Sequence, residues 1–151
     1  MRTAVRGALA LATAVFAMSG CRDDAAPPVA VPGVALTATS RDGCVRLAER
    51  LPERVGDLRR RDVTEPQPGL AAYGEPALLV RCGAPRSARY SPGTPLIEIN
   101  GQRWFADDQD GRVVWTLPNA IVNVEVTIPD AHKGELLATL SDAVRAAQPF
   151  G

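Results

Sequence analysis

One lysine and one histidine are all that this 151-residue chain has of those types, and aromatic residues make up only 5% of it. Each shortage excludes something. A lone histidine, His132, leaves little for a zinc site, which takes three or four protein ligands, or for a serine triad built around imidazole. With so few aromatics, the core must be aliphatic. Charge of either sign is not in excess: 17 basic and 17 acidic residues give no field suited to nucleic acid or to an acidic partner. No Gly-x-Ser-x-Gly elbow, no Gly-rich phosphate loop and no internal repeat occurs, and no cofactor is implied. Sixteen of the basic residues are arginine, which, with abundant Ala, Val, Pro and Gly, reads as coding bias rather than as a functional signal.

What is present begins at the N-terminus. Arg2 and Arg6 precede an uncharged, mostly apolar stretch, Ala8 to Ser19. It is too short to span a bilayer, which needs roughly 20 residues, and fits the h-region of an export signal. Its end, Met18-Ser19-Gly20-Cys21, resembles a bacterial lipobox. Small residues at 19 and 20 admit the peptidase, and the Cys21 thiol takes the lipid. A soluble secreted chain with an incidental Cys21 is the plainer alternative. Residues 1–20 read as a lipoprotein signal peptide, and residues 21–39 as the lipidated cysteine plus a flexible Pro/Ala-rich tether. Part of that tether, Val34-Ala35-Leu36, has strand-like composition instead. Removing residues 1–20 leaves 15 basic and 17 acidic residues, a net charge of −2.

Residues 40–151 read as one globular domain. Ser40 or Asp42 caps a helix whose apolar face is Cys44, Leu47, Ala48 and Leu51, ended by Pro52. Strands follow at Leu78–Cys82, Leu96–Ile99, Gln102–Phe105, Val113–Leu117 and Ile121–Ile128. Asn100-Gly101 is a strong hairpin signal, because both residues tolerate positive φ. In the last strand, Val122, Val124, Val126 and Ile128 alternate with Asn123, Glu125 and Thr127, so one face is buried and the other wet. Asp130 caps a final helix with the stripe Leu136, Leu137, Leu140, Val144 and Ala147. The expected architecture is α+β: two layers, a mostly antiparallel sheet of four to five strands, and both helices on one face.

Two cysteines remain once Cys21 is assigned to lipid. In an exported chain Cys44 and Cys82, both pointing inward, read as a structural disulfide. A reactive thiol pair would need Cys-x-x-Cys spacing or an exposed electropositive site. Asp107-Asp108-Gln109-Asp110-Gly111 invites a calcium reading, but in EF-hand register Ala106 and Leu117 stand where acids are required, so a polar hairpin turn is expected and no metal. His132 and Glu135 alone are too few for zinc. Arg59-Arg60-Arg61, flanked by Asp57 and Asp62, reads as a solvated run that could also meet anionic headgroups. Trp104 and Trp115 read as core aromatics unless an exposed pair forms a binding platform.

The segments "CVRLAERLPERVGDLRRRDV", "AAYGEPALLVRCGAPR", "LIEINGQRWFADD" and "VNVEVTIP", with the C-terminal helix, resemble those of actinobacterial exported lipoproteins grouped as domain of unknown function 3515. The resemblance implies an envelope-anchored domain with Cys44 and Cys82 paired, and no activity. The functional expectation is a non-catalytic binding or adaptor domain of the cell envelope, without catalytic residues. It sits on the outer face of the cell membrane, attached through its lipid, with an envelope protein or cell-wall partner. The Pro/Gly-rich segment 83–95, with Arg86, Arg89 and Tyr90, is the candidate contact, unless it is only a spacer. The rival expectation is an envelope hydrolase pairing Asp107 or Asp108 with Glu98, which requires two acids converging in a pocket.

Overall fold

The computed structural model describes residues 26–118 and 120–148. Cys21 and the lipobox-like segment lie outside them. The chain runs α1 (Ala38–Ala48), β1 (Arg54–Val55), β2 (Leu58–Arg61), β3 (Leu70–Tyr73), β4 (Leu78–Cys82), β5 (Ile97–Ile99), β6 (Gln102–Gln109), β7 (Arg112–Thr116), β8 (Val124–Pro129) and α2 (Leu136–Ala147). No described helix is long and apolar enough to cross a membrane.

The four- to five-stranded α+β expectation is corrected. One antiparallel sheet of eight strands, in the order β1-β2-β3-β4-β8-β7-β6-β5, makes the domain mostly β with two helices. The three strands missing from the sequence reading are the first three. β1 has only two residues. β2 is Leu-Arg-Arg-Arg, which carries no buried alternation. β3 is Leu-Ala-Ala-Tyr, rich in a residue of low strand propensity, yet buried along its whole length because both its faces are covered. Two meanders, β1 to β4 and β5 to β8, meet at the β4–β8 pairing, where Val80 lies opposite Val126.

Strand alternation sorts the side chains into two faces. The inner face presents Tyr73, Leu78, Val80, Cys82, Trp104, Val124, Val126 and Ile128 to Cys44 and Leu47 of α1 and Leu137, Leu140 and Val144 of α2, forming one core. Thr37, not Ser40 or Asp42, caps α1: it stands in extended backbone and its hydroxyl accepts from the Ser40 backbone N–H. α2 begins at Leu136 rather than just after Asp130, since residues 130–135 are spent in turns. The Cys44–Cys82 disulfide joins α1 to the centre of the sheet. Asn100 and Gly101 both have positive φ, 50° and 77°, and turn β5 into β6. Trp104 is fully buried and donates from Nε1 to Ser141 Oγ of α2 at 2.9 Å, while Ser141 donates to the Ile99 carbonyl at 2.7 Å. Trp115 is half-buried and packs against the same core, so the two tryptophans do not form an exposed platform.

On the outer face lies a smaller apolar cluster. Val31 is buried against Leu70 and Ala72, with Val29, Val34 and Leu79 packed around them. The expected free tether therefore ends well before residue 39. Val29 pairs with Val63, the Val34 N–H donates to Gln67 Oε1, and Arg81 Nε donates to the Pro32 carbonyl.

Candidate functional site

The outer face of the sheet is covered at two places and open between them. At one side lies the docked segment 29–36. At the other runs the connection 83–96, which must carry the chain from β4 at the sheet's centre to β5 at its far edge. Two outward-facing residues of β6 pin that connection. Arg89 donates to Asp107 Oδ1 at 2.8 Å, and the Tyr90 ring meets Phe105 edge-on, centroids 5.7 Å apart. Arg86 lies over the Tyr90 ring at 5.7 Å. Arg86, Arg89 and Tyr90 are thus brought together. Arg89 neutralises Asp107, whose side chain is 7% exposed and also accepts from Gln109 Nε2.

Against the first cover lies a concavity of about 340 Å³, lined by Pro32, Leu79, Arg81, Gln109, Arg112, Val114, Glu125 and Thr127. Its floor comes from three adjacent strands. Leu79 lies opposite Thr127 and Arg81 opposite Glu125 across β4–β8, and Val114 opposite Thr127 across β7–β8. The sequence places these side chains here through the same alternation that buries Val80, Val124 and Val126 on the other face. Arg81 and Glu125 form an ion pair of 2.7 Å, both mostly buried. Arg81 also holds the Pro32 carbonyl, so one guanidinium ties the floor to the wall. Arg112 is exposed at the end of β7 and donates to Gln109 Oε1. No carboxylate pairs with it among the described residues. With Arg81 and Glu125 cancelling, the groove presents one net positive charge, from Arg112, beside a threonine hydroxyl and aliphatic surface.

The other predicted residues are dispersed. Glu98 lies on β5 opposite Arg103, four residues along β6 from Asp107, about 13 Å at strand spacing. Asp108 points to the opposite face from Asp107. The acid pair that a hydrolase would need is not assembled. Asp107, Asp108 and Asp110 likewise diverge, and no cluster of metal-ligating side chains occurs among the described residues. His132 Nε2 lies 2.6 Å from the Pro76 carbonyl, so that nitrogen carries the proton and donates it. Glu135 faces Lys133 instead. A concavity of about 420 Å³ beside His132 is walled by turn residues, and its histidine, lysine and glutamate are already engaged. An apolar crevice between α1, α2 and Val122 holds only about 10 Å³, about one water's worth. The outer groove is the better candidate because strands hold its floor rigidly. Its residues Arg81, Gln109, Arg112, Glu125 and Thr127 were absent from the sequence-based candidates. Only the wet face of β8, with Glu125 and Thr127, carried a signal for it.

The chain belongs to the family of proteins of unknown function DUF3515, whose model matches residues 5–150. No curated protein and no solved structure matches it.

Proposed function

We propose that this member of a family without an assigned activity is an exported lipoprotein. In this reading it is anchored at Cys21 on the outer face of the cytoplasmic membrane and works as a non-catalytic binding domain. Its binding surface is the outer groove, and its partner is a protein or cell-wall segment of the envelope that lies across the strands. The groove carries the reading: an open concavity of about 340 Å³ with a rigid strand floor, its one carboxylate held by Arg81, and a guanidinium at Arg112 that pairs with no carboxylate among the described residues. Such a surface favours recognition of an extended partner with an acidic group. The anchor reading is supported by the run that ends at Met18-Ser19-Gly20-Cys21. Anchoring raises the effective concentration of the domain for any partner in the same layer.

Two experiments test this. Metabolic labelling with a palmitate analogue should mark the wild type and not Cys21→Ala; equal labelling of both refutes the anchor. Crosslinked capture from the native envelope should recover the same partner with wild type and with a replaced segment 91–95, and lose it with Arg112→Glu. Capture unchanged by Arg112→Glu removes the groove as the site.

A further inference from the structure

The edge of the sheet farthest from β5 carries an arrangement that folding alone does not favour. Arg54 of β1 stands directly opposite Arg59 of β2 in the antiparallel register. Like charges so placed repel and destabilise the pair. Both side chains are exposed, and no carboxylate pairs with either among the described residues. Arg54 donates only to the Asp57 backbone carbonyl in the turn between them. Arg61, two residues along β2, falls on the same face as Arg59. It is spent differently: it contacts Glu75 and donates to the carbonyls of Gly74 and Pro27.

That last contact fixes where the chain leaves the domain. Pro27 sits against Arg61, and only five residues separate it from Cys21. At no more than ~3.6 Å per residue, the Cys21 Cα lies within about 22 Å of Pro27. A lipid on Cys21 therefore holds the β1–β2 edge close to the bilayer surface. β5, seven strand spacings away from β1, stands about 34 Å farther along the sheet. Arg22, Asp23 and Asp24 of the connecting segment carry a net charge of −1, while the hairpin 53–60 carries Arg54, Arg59 and Arg60 against Glu53 and Asp57, a net of +1.

We infer that the β1–β2 edge, through Arg54 and Arg59, is the membrane-facing surface of the domain and binds anionic phospholipid headgroups beside the anchor. The inference rests on lipidation of Cys21. It adds an orientation: the β1–β2 edge faces the bilayer and the β5 edge faces away from it. Each basic residue near an anionic surface strengthens attachment about fivefold, so removing two should weaken surface apposition roughly 25-fold.

The test uses the full-length lipidated protein in vesicles carrying a headgroup nitroxide quencher. Asp57→Cys and, separately, Glu98→Cys supply the single free thiol for a fluorescent label. In vesicles rich in phosphatidylglycerol, quenching at position 57 should exceed that at 98 severalfold. The contrast should shrink in pure phosphatidylcholine, and also in Arg54→Gln/Arg59→Gln. Equal quenching at 57 and 98, or a contrast indifferent to phosphatidylglycerol or to the double substitution, overturns the inference while the protein remains on the vesicles. A protein that carries no lipid and does not partition into vesicles at all refutes the anchor instead, before any quenching is read. Relief of the repulsion should leave the melting temperature of Arg59→Gln equal to or above that of the wild type; a clear fall would make the arginine structural and also overturn the inference.

Discussion

Replacing Cys44 and Cys82 together with alanine should bring the domain to the edge of unfolding. The bridge closes a loop with a sequence separation of 38. In the chain-entropy model a loop of that length is worth about 4 kcal/mol, by restricting the unfolded chain. Burial adds a second cost. Cys44 is fully buried, Cys82 is 1% exposed, and both belong to the main core. Their surroundings have little freedom to collapse. Gly69, at φ +73°, lies so close that a Cβ on it would sit 2.4 Å from Cys82 Cβ. Each lost sulfur is comparable to a deleted methyl, about 1 kcal/mol. The sum, about 6 kcal/mol, is as large as the whole stability of many small domains. The assay is urea denaturation of oxidised wild type, reduced wild type and the double alanine variant. Reduction keeps the sulfurs and should cost about 4 kcal/mol; the alanine variant should cost roughly 2 kcal/mol more. If reduced and oxidised protein unfold within about 1 kcal/mol of each other, the loop-entropy reasoning fails. If the alanine variant matches the reduced protein, the packing argument fails.

Two further perturbations probe the polar atoms that the core encloses. Ser141→Ala changes little volume but strips the Trp104 N–H and the Ile99 carbonyl of their shared partner, so it should cost about 2–3 kcal/mol in denaturant titration; a cost under about 0.5 kcal/mol would show that these groups find other partners. Tyr73 has its phenol pushed up to about 12 by burial, with Arg60 lowering and Glu53 raising it. The unfolded tyrosine ionises near 10.0 and releases its proton first, so the stabilisation is complete below that pH and fades as pH rises toward 12. The alkaline limb of the stability curve should lose about 2–3 kcal/mol across that window in wild type and stay flatter in Tyr73→Phe; parallel limbs would refute the assignment.

The second half of the sheet was far more legible than the first. β8 could be read because Val124, Val126 and Ile128 alternate with Glu125 and Thr127, one face buried and one wet. The β5–β6 hairpin could be read because Asn100-Gly101 is local chemistry, a turn set by two residues that accept positive φ. β2 could not, because three consecutive arginines have no periodicity; what orders Arg61 is contact with Glu75 and with a carbonyl 34 residues earlier. β3 failed for a related reason. Its outer face is dry only because Val31 and its neighbours fold back over Leu70 and Ala72, a partnership that composition cannot reveal. The groove was hidden in the same way. Arg81 looked like a polar residue on a strand, and its pairing with Glu125 depends on β4 finding β8 across 44 residues. The sequence did single out Arg86, Arg89 and Tyr90, but as contacts for a partner, whereas Arg89 and Tyr90 are engaged with Asp107 and Phe105.

How the two meanders are joined decides what covers the outer face. The chain reaches β4 in the middle of the sheet and must resume at β5, four strand spacings away, about 19 Å. α1 and α2 already fill the inner face, so the crossing has to run over the outer one. The residues that hold it there are Arg89 and Tyr90, on Asp107 and Phe105. The segment before α1 comes over the same face from the other side and is held by Arg81 and Gln67. Pro32 of that segment lines the groove, and no residue of 83–96 does. Residues 83–96 bear on the groove only indirectly: Arg89 holds Asp107, and Asp107 accepts from Gln109, which lines the groove. This separates the two roles that a loop exchange alone would confuse. Replacing residues 91–95 spares both Arg89 and Tyr90, whereas Arg89→Ala takes the cation from the buried Asp107 carboxylate that also accepts from Gln109 of the groove.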